Sequence, residues 1–165
     1  MAFKTTGEND ENSKVNRNRA ASDSPGEASH LSTRKILNSA TIKTMVTAAE
    51  AEVQKRGVHV TICIVDDSLN LLFLEHLDGA TVNTIVFAQK KARHAAYYRQ
   101  PSKNAQDSVK NGNTALLAMP EAFPNQGGLP IKVDGETIGA IGVSGAASEV
   151  DEAIGQAALD AAFGK

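Results

Sequence analysis

The amino-acid sequence predicts an α+β domain built on a mainly antiparallel sheet. Three observations predict it. Strand-patterned segments come as two hairpin-like pairs, Val58–Leu77 and Leu129–Gly145, with no βαβ alternation between them. Helical periodicity fills the segments around and between those pairs. At 165 residues and 41% hydrophobic, the chain has apolar side chains for one packed core but not comfortably for two.

Residues 1–32 stand apart. They are rich in Asn, Ser, Glu and Arg and contain no apolar run, so burial cannot offset the entropy of ordering them. A disordered N-terminal tail is expected over 1–32, ahead of a domain at 33–165. The tail lacks the apolar stretch of a secretory signal, and its five acidic residues argue against a transit peptide. No segment approaches the roughly 18 apolar residues of a membrane span, so the cytoplasm is the expected location. A net charge of -2, a pI near 6.1 and no Lys/Arg run longer than two residues disfavour nucleic acid and anionic membranes as partners.

The first helical pattern runs from a cap at Thr33 to a stop at Gly57, with Ile36, Leu37, Ala40, Met45, Ala48, Ala49 and Val53 at helical spacing. "VHVTICIVD" then alternates Val58, Val60, Ile62 and Ile64 against His59, Thr61, Cys63 and Val65. After the turn-like Asp66–Asn70, "LLFLEHL" completes a hairpin. The lone Cys63 excludes an internal disulfide and a cysteine zinc site, and its apolar run makes it a core residue. A second helix is expected from Thr81 to Gln100, ending before Pro101, and a third from Ser102 to Met119. "PEAFPNQGG" reads as a loop. Asp134-Gly135 between two β-patterned runs is a strong hairpin signal. A last helix follows, with Ser148 and Asp151 at capping-box spacing.

"VTICIVDDSLNLLFLEHLDGA", "QKKARHAAYYRQPS", "GGLPIKVDGETIGAIGVSGA" and "DEAIGQAAL" follow one another in an order and spacing that resemble the GlcG/HbpS-like haem-binding family. The C-terminal domain of PduO-type proteins is similar as well. The most specific parts are Asp78-Gly79-Ala80, Gly127-Gly128-x-Pro130-Ile131 and Gly139–Gly145, followed by Asp151-Glu152. The resemblance covers about residues 35–163. It implies a single-domain profilin-like α/β/α sandwich, homo-oligomeric assembly as a dimer or larger, and, in several members, binding of haem, iron or a corrinoid-related ligand. It departs at two positions. The family usually carries Arg where this chain has His76, and a small residue such as Thr where it has His94.

Histidine offers one donor and one acceptor when neutral and titrates near pH 6.5, which suits a metal, a haem iron or proton transfer. At about 100° per residue, Ile85, Ala88, Ala92, Ala95 and Ala96 share one arc of the second helix, while Asn83, Phe87, Lys90 and His94 lie nearly opposite. The alanine stripe is expected on the sheet, leaving Lys90 and His94 facing away from the core, with Lys90 favouring a neutral imidazole. His76 ends the second strand and precedes Asp78 and Gly79. The glycine-rich run through Gly142, Ser144 and Gly145 leads into a helix N-terminus that favours an anion, and tight packing is the other reading of those glycines. Glu149 and Glu152 are spaced for a hard cation, although acidic residues in a first turn are commonly dipole partners.

No nucleophile elbow, P-loop, zinc-protease helix or Cys-His pair occurs. Two functional readings remain. One is a binding module for haem or another carboxylate-bearing small molecule at or near a subunit interface, with His94 or His76 as axial ligand, Phe87 as a flat wall, and Gly142, Ser144 and Gly145 at the ligand's acid groups. The other is a cofactor-free isomerase, dehydratase or cyclase acting on a small oxygenated metabolite. There His76 and His94 would serve as acid and base, with Lys90 or Asp78 orienting the substrate.

Overall fold

The computed structural model describes residues 32–164, in which two antiparallel hairpins join through their inner strands. The expected tail up to residue 31, with His30, lies outside the described residues. Strands β1 (Thr61–Asp66), β2 (Leu71–His76), β3 (Gly128–Val133) and β4 (Glu136–Ser144) form one sheet in the order β2-β1-β4-β3, every neighbouring pair antiparallel. The second hairpin turns where the sequence predicts. Asp134 and Gly135 both take positive φ, 51° and 82°, as a two-residue primed turn requires. In the first hairpin, Asp66 Oδ1 accepts from the Ser68 and Asn70 backbone N–H groups, which fixes the turn.

Helices cover both faces. Helices α1 (Ser39–Arg56) and α4 (Ser148–Phe163) lie together on one side, burying Met45, Ala49, Val53, Ile154 and Ala158 against Ile62, Ile64, Ile131, Ile141 and Val143. Helix α2 (Asn83–Tyr98) lies on the other, setting Ala88, Ala92, Ala95 and Ala96 on Cys63, Val65 and Ala140. The period-2 alternation of β1 thus divides its side chains between two cores, and both sides of the strand are buried. Cys63 is fully buried, and that burial pushes its thiol up to about 12, so it serves as core rather than nucleophile.

Several boundaries differ from those expected. Asn38, not Thr33, caps α1, its Oδ1 accepting from the Thr41 N–H at 2.9 Å. Residues 32–38 run without helix, and there Arg34 and Lys35 pair with Asp67 and Asp134 at the two hairpin turns. Strand β1 begins at Thr61 rather than Val58. The third helix divides into α3 (Ser102–Lys110) and a 3₁₀ turn, Thr114–Ala118. Gly112, at φ 98°, leaves the helical region between them. Ser148 does not cap α4. Asp151 Oδ1 instead accepts from the Ala146 N–H at 2.9 Å.

Candidate ligand-binding cavity

The site begins with a pair of glycines. Gly128 and Gly142 are opposite one another on β3 and β4. A Cβ on Gly142 would fall 2.2 Å from the Ala88 carbonyl oxygen, and one on Gly128 the same distance from that of Lys91. Together they form a trough in which α2 rests backbone-to-sheet. This close seat puts the Lys91 side chain inside the protein.

Lys91 is 2% exposed, yet it is charged-type and long. Its Nζ donates to Asp151 Oδ2 at 2.8 Å and to the Val143 carbonyl at 2.9 Å, joining α2, β4 and the first turn of α4. Burial lowers the Lys91 pKa, and the facing carboxylate only partly restores it. Burial likewise raises Asp151, against the pull of Lys91 and of the Ala146 and Gly145 N–H groups. Desolvation therefore pushes both members of the pair toward their neutral forms. The pair lines a cavity of about 260 Å³.

Two helix N-termini converge on that cavity. Thr81, Asn83, Thr84 and Phe87 contribute from the start of α2, and Ser148 and Asp151 from the start of α4, preceded by Ser144, Gly145 and Ala146. Unsatisfied N–H groups and the positive end of the dipole make each such terminus favourable to an anion. Asn125 also lines the cavity, and its Oδ1 is buried without a hydrogen-bond partner. Thr84 continues a chain of hydroxyls outward: its Oγ1 lies 2.7 Å from Thr61 Oγ1, which lies 2.8 Å from His76 Nδ1.

The sequence candidates separate on this frame. Ser144 and Gly145 line the cavity and Phe87 stands at its wall, 36% exposed. Gly142 does not belong to the cavity, because it is the seat for α2. His94 is fully buried, contrary to the outward orientation expected from its position on α2. The loop after the 3₁₀ turn folds back over it, and its Nδ1 accepts from the Phe123 N–H at 3.0 Å. Its ring packs beside Tyr98, with centroids 4.7 Å apart. Burial lowers its pKa, outweighing the Glu121 backbone carbonyl, which acts in the other direction, so burial favours the neutral ring. Arg93 to Glu121 at 2.9 and 2.5 Å, and Tyr98 Oη to the Pro120 carbonyl at 2.6 Å, hold the same loop.

Lys90 is on the exposed side of α2, its Nζ 5.6 Å from the centre of the Phe123 ring. His76 is exposed at the end of β2, and the two histidines share no partner. Asp78 is exposed, and its carbonyl lies 2.7 Å from His59 Nδ1. Glu149 and Glu152 act electrostatically on the Lys103 ammonium. Among the described residues, no three or more His, Cys, Asp or Glu side chains gather as a metal site would require.

Sequence reasoning missed Lys91 and its partnership with Asp151. A signal was available, because Lys91 stands three residues after Ala88 and four before Ala95, on the alanine face itself.

Comparison with known proteins accords with this architecture. The family model described as "Haem degrading protein HbpS-like" matches residues 37–160. Protein GlcG of Escherichia coli K12 is 36% identical over 114 residues, covering 69% of this chain and 85% of that protein. The crystal structure of HbpS superposes with a TM-score of 0.76 at 26% identity, covering 84% of this chain and 98% of the other. A PduOC:heme complex gives 0.71 at 25% identity, covering 77% and 95%.

Proposed function

This chain belongs to the HbpS-like family, and from that premise we propose that it binds a carboxylate-bearing small molecule, haem or a ligand of similar chemistry, with the acid group in the cavity above Lys91. The convergence of two helix N-termini on a polar cavity carries the proposal. The related PduOC structure is described as a haem complex, which supports haem as the first ligand to try.

Size constrains how such a ligand lies. About 260 Å³ falls below the roughly 300–1,000 Å³ typical of pockets that enclose a whole drug-sized molecule. The cavity therefore suits an acid arm, with the flat body resting on Phe87 and the outer face of α2. Val82, immediately before that helix, and Val86 on it are 80% and 49% exposed. A second copy of the chain covering them would complete the site. Of the two histidines singled out from the sequence, His94 is enclosed and His76 is exposed, so His76 is the one placed to reach an iron.

Hemin titration followed by absorbance tests this reading. The wild-type protein should give a saturable Soret shift. Ser148→Phe, which fills the cavity from a helix end, should weaken binding at least tenfold, and His76→Ala should move the band. Unchanged binding in Ser148→Phe would overturn the placement.

A second reading has its own observation, the Lys91–Asp151 pair lining the same cavity. Such a pair can exchange a proton with an oxygenated metabolite, and the Thr84–Thr61–His76 chain offers a route outward. Purified protein devoid of haem, together with turnover lost in Asp151→Asn, would favour it.

A further inference from the structure

A lysine that lines a cavity, is almost wholly withdrawn from solvent and touches a carboxyl group has the parts needed for carbonyl capture. Resting on the acid-binding reading above, we propose that Lys91 forms a reversible iminium with small oxo acids, Asp151 moving the protons and the α4 N-terminus holding the carboxylate.

The geometry supplies each part. An ammonium has three N–H donors, and the Val143 carbonyl and Asp151 take two of them, so one donor is left over beside the cavity that Lys91 lines. Gly127 lies over the amine: a Cβ there would stand 2.9 Å from Nζ, so only glycine leaves the nitrogen this uncrowded. Ser144 and Ser148 stand beside the pair, placed for a carboxylate next to the reacting carbonyl.

The chemistry balances without any oxidant or cofactor. Asp151 takes a proton from the Lys91 ammonium. The freed nitrogen pair forms a C–N bond to the carbonyl carbon, and the C=O π pair moves to oxygen, which receives the proton from Asp151. The resulting carbinolamine nitrogen returns a proton to Asp151. The nitrogen lone pair then expels the hydroxyl, which leaves as water after taking that proton. In sum, ammonium plus carbonyl gives iminium plus water. Burial of both groups assists, because it raises the share of neutral amine beside neutral acid.

Reductive trapping tests the proposal. Full-length protein is incubated at pH 7 with glyoxylate or pyruvate, the smallest oxo acids with an adjacent carboxylate, and with cyanoborohydride, and the adducts are located by peptide mass spectrometry. Lys91 should be alkylated at least tenfold faster than exposed Lys43, Lys55, Lys90, Lys110 and Lys132. Asp151→Asn, checked for native circular dichroism, should lower that rate by roughly 10². If Lys91 stays unmodified with both acids, or reacts no faster than the exposed lysines, the iminium is overturned. Amide NMR shifts around Ser144 and Ser148 without reductant separate the two claims. Shifts without a Lys91 adduct leave acid binding standing, and their absence removes both.

Discussion

Lys91 Nζ lies 2.8 Å from Asp151 Oδ2 with both residues 2% exposed, so a single buried ion pair fastens α2 to the first turn of α4 across the end of the sheet. Removing either partner leaves the other buried without its opposite charge. Lys91→Ala and Asp151→Ala should each cost roughly 3–5 kcal/mol, measured by urea unfolding. The double replacement Lys91→Met with Asp151→Leu should recover most of that loss, since the cost lies in the unpaired charge. A double variant as unstable as the singles would show that packing at these positions, not charge, dominates.

The trough makes a second prediction. Gly142→Ala places a methyl 2.2 Å from the Ala88 carbonyl oxygen, a backbone atom that cannot rotate away. The variant should lose about 3 kcal/mol or more as α2 is forced off the sheet. Gly135→Ala, where nothing lies within 4 Å but φ is 82°, should lose less and leave the cavity unaltered.

His94 gives stability a pH dependence. Its folded pKa is depressed by burial, so the unfolded chain binds the proton more readily. Stability is then fully present above the unfolded value near 6.5 and declines as pH falls from there toward the folded pKa. The urea midpoint should drop between pH 7.5 and 5, and His94→Gln should flatten that slope while lowering stability at pH 7.5. An unchanged slope would place the titration elsewhere.

Glu75 on β2 shows the opposite sign. Burial, and then the hydrogen-bonded Glu50 carboxyl, raise its pKa, and its Oε2 is buried without a partner. The folded state holds this proton more tightly, so stability falls as pH rises from about 4.5 through the folded value. Glu75→Gln should raise the thermal midpoint at pH 7 and leave it almost unchanged at pH 4.

The fold was legible because local chemistry and tertiary structure agree. Asp134-Gly135 can take two positive φ values, and Ala88, Ala92, Ala95 and Ala96 have no other use on one helix face than close contact. The site was less legible. Burial of His94 comes from a loop 29 residues further on, which no helical periodicity can reveal. Lys91 was hidden by its residue type, since a charged side chain on an apolar face invites the choice of its neighbour Lys90. Only the partner at Asp151, 60 residues away, makes that burial tolerable.

Amide-resolved NMR titration with gallium protoporphyrin, a diamagnetic stand-in for haem, tests ligand placement most directly. Saturable shifts are expected at Gly145, Ala146, Ser148, Asn83 and Asn125, fading together in Ser148→Phe. Shifts confined instead to the groove of Ile42, Val46, Leu72 and Phe73 between α1 and β2 would contradict the cavity above Lys91 as the binding site.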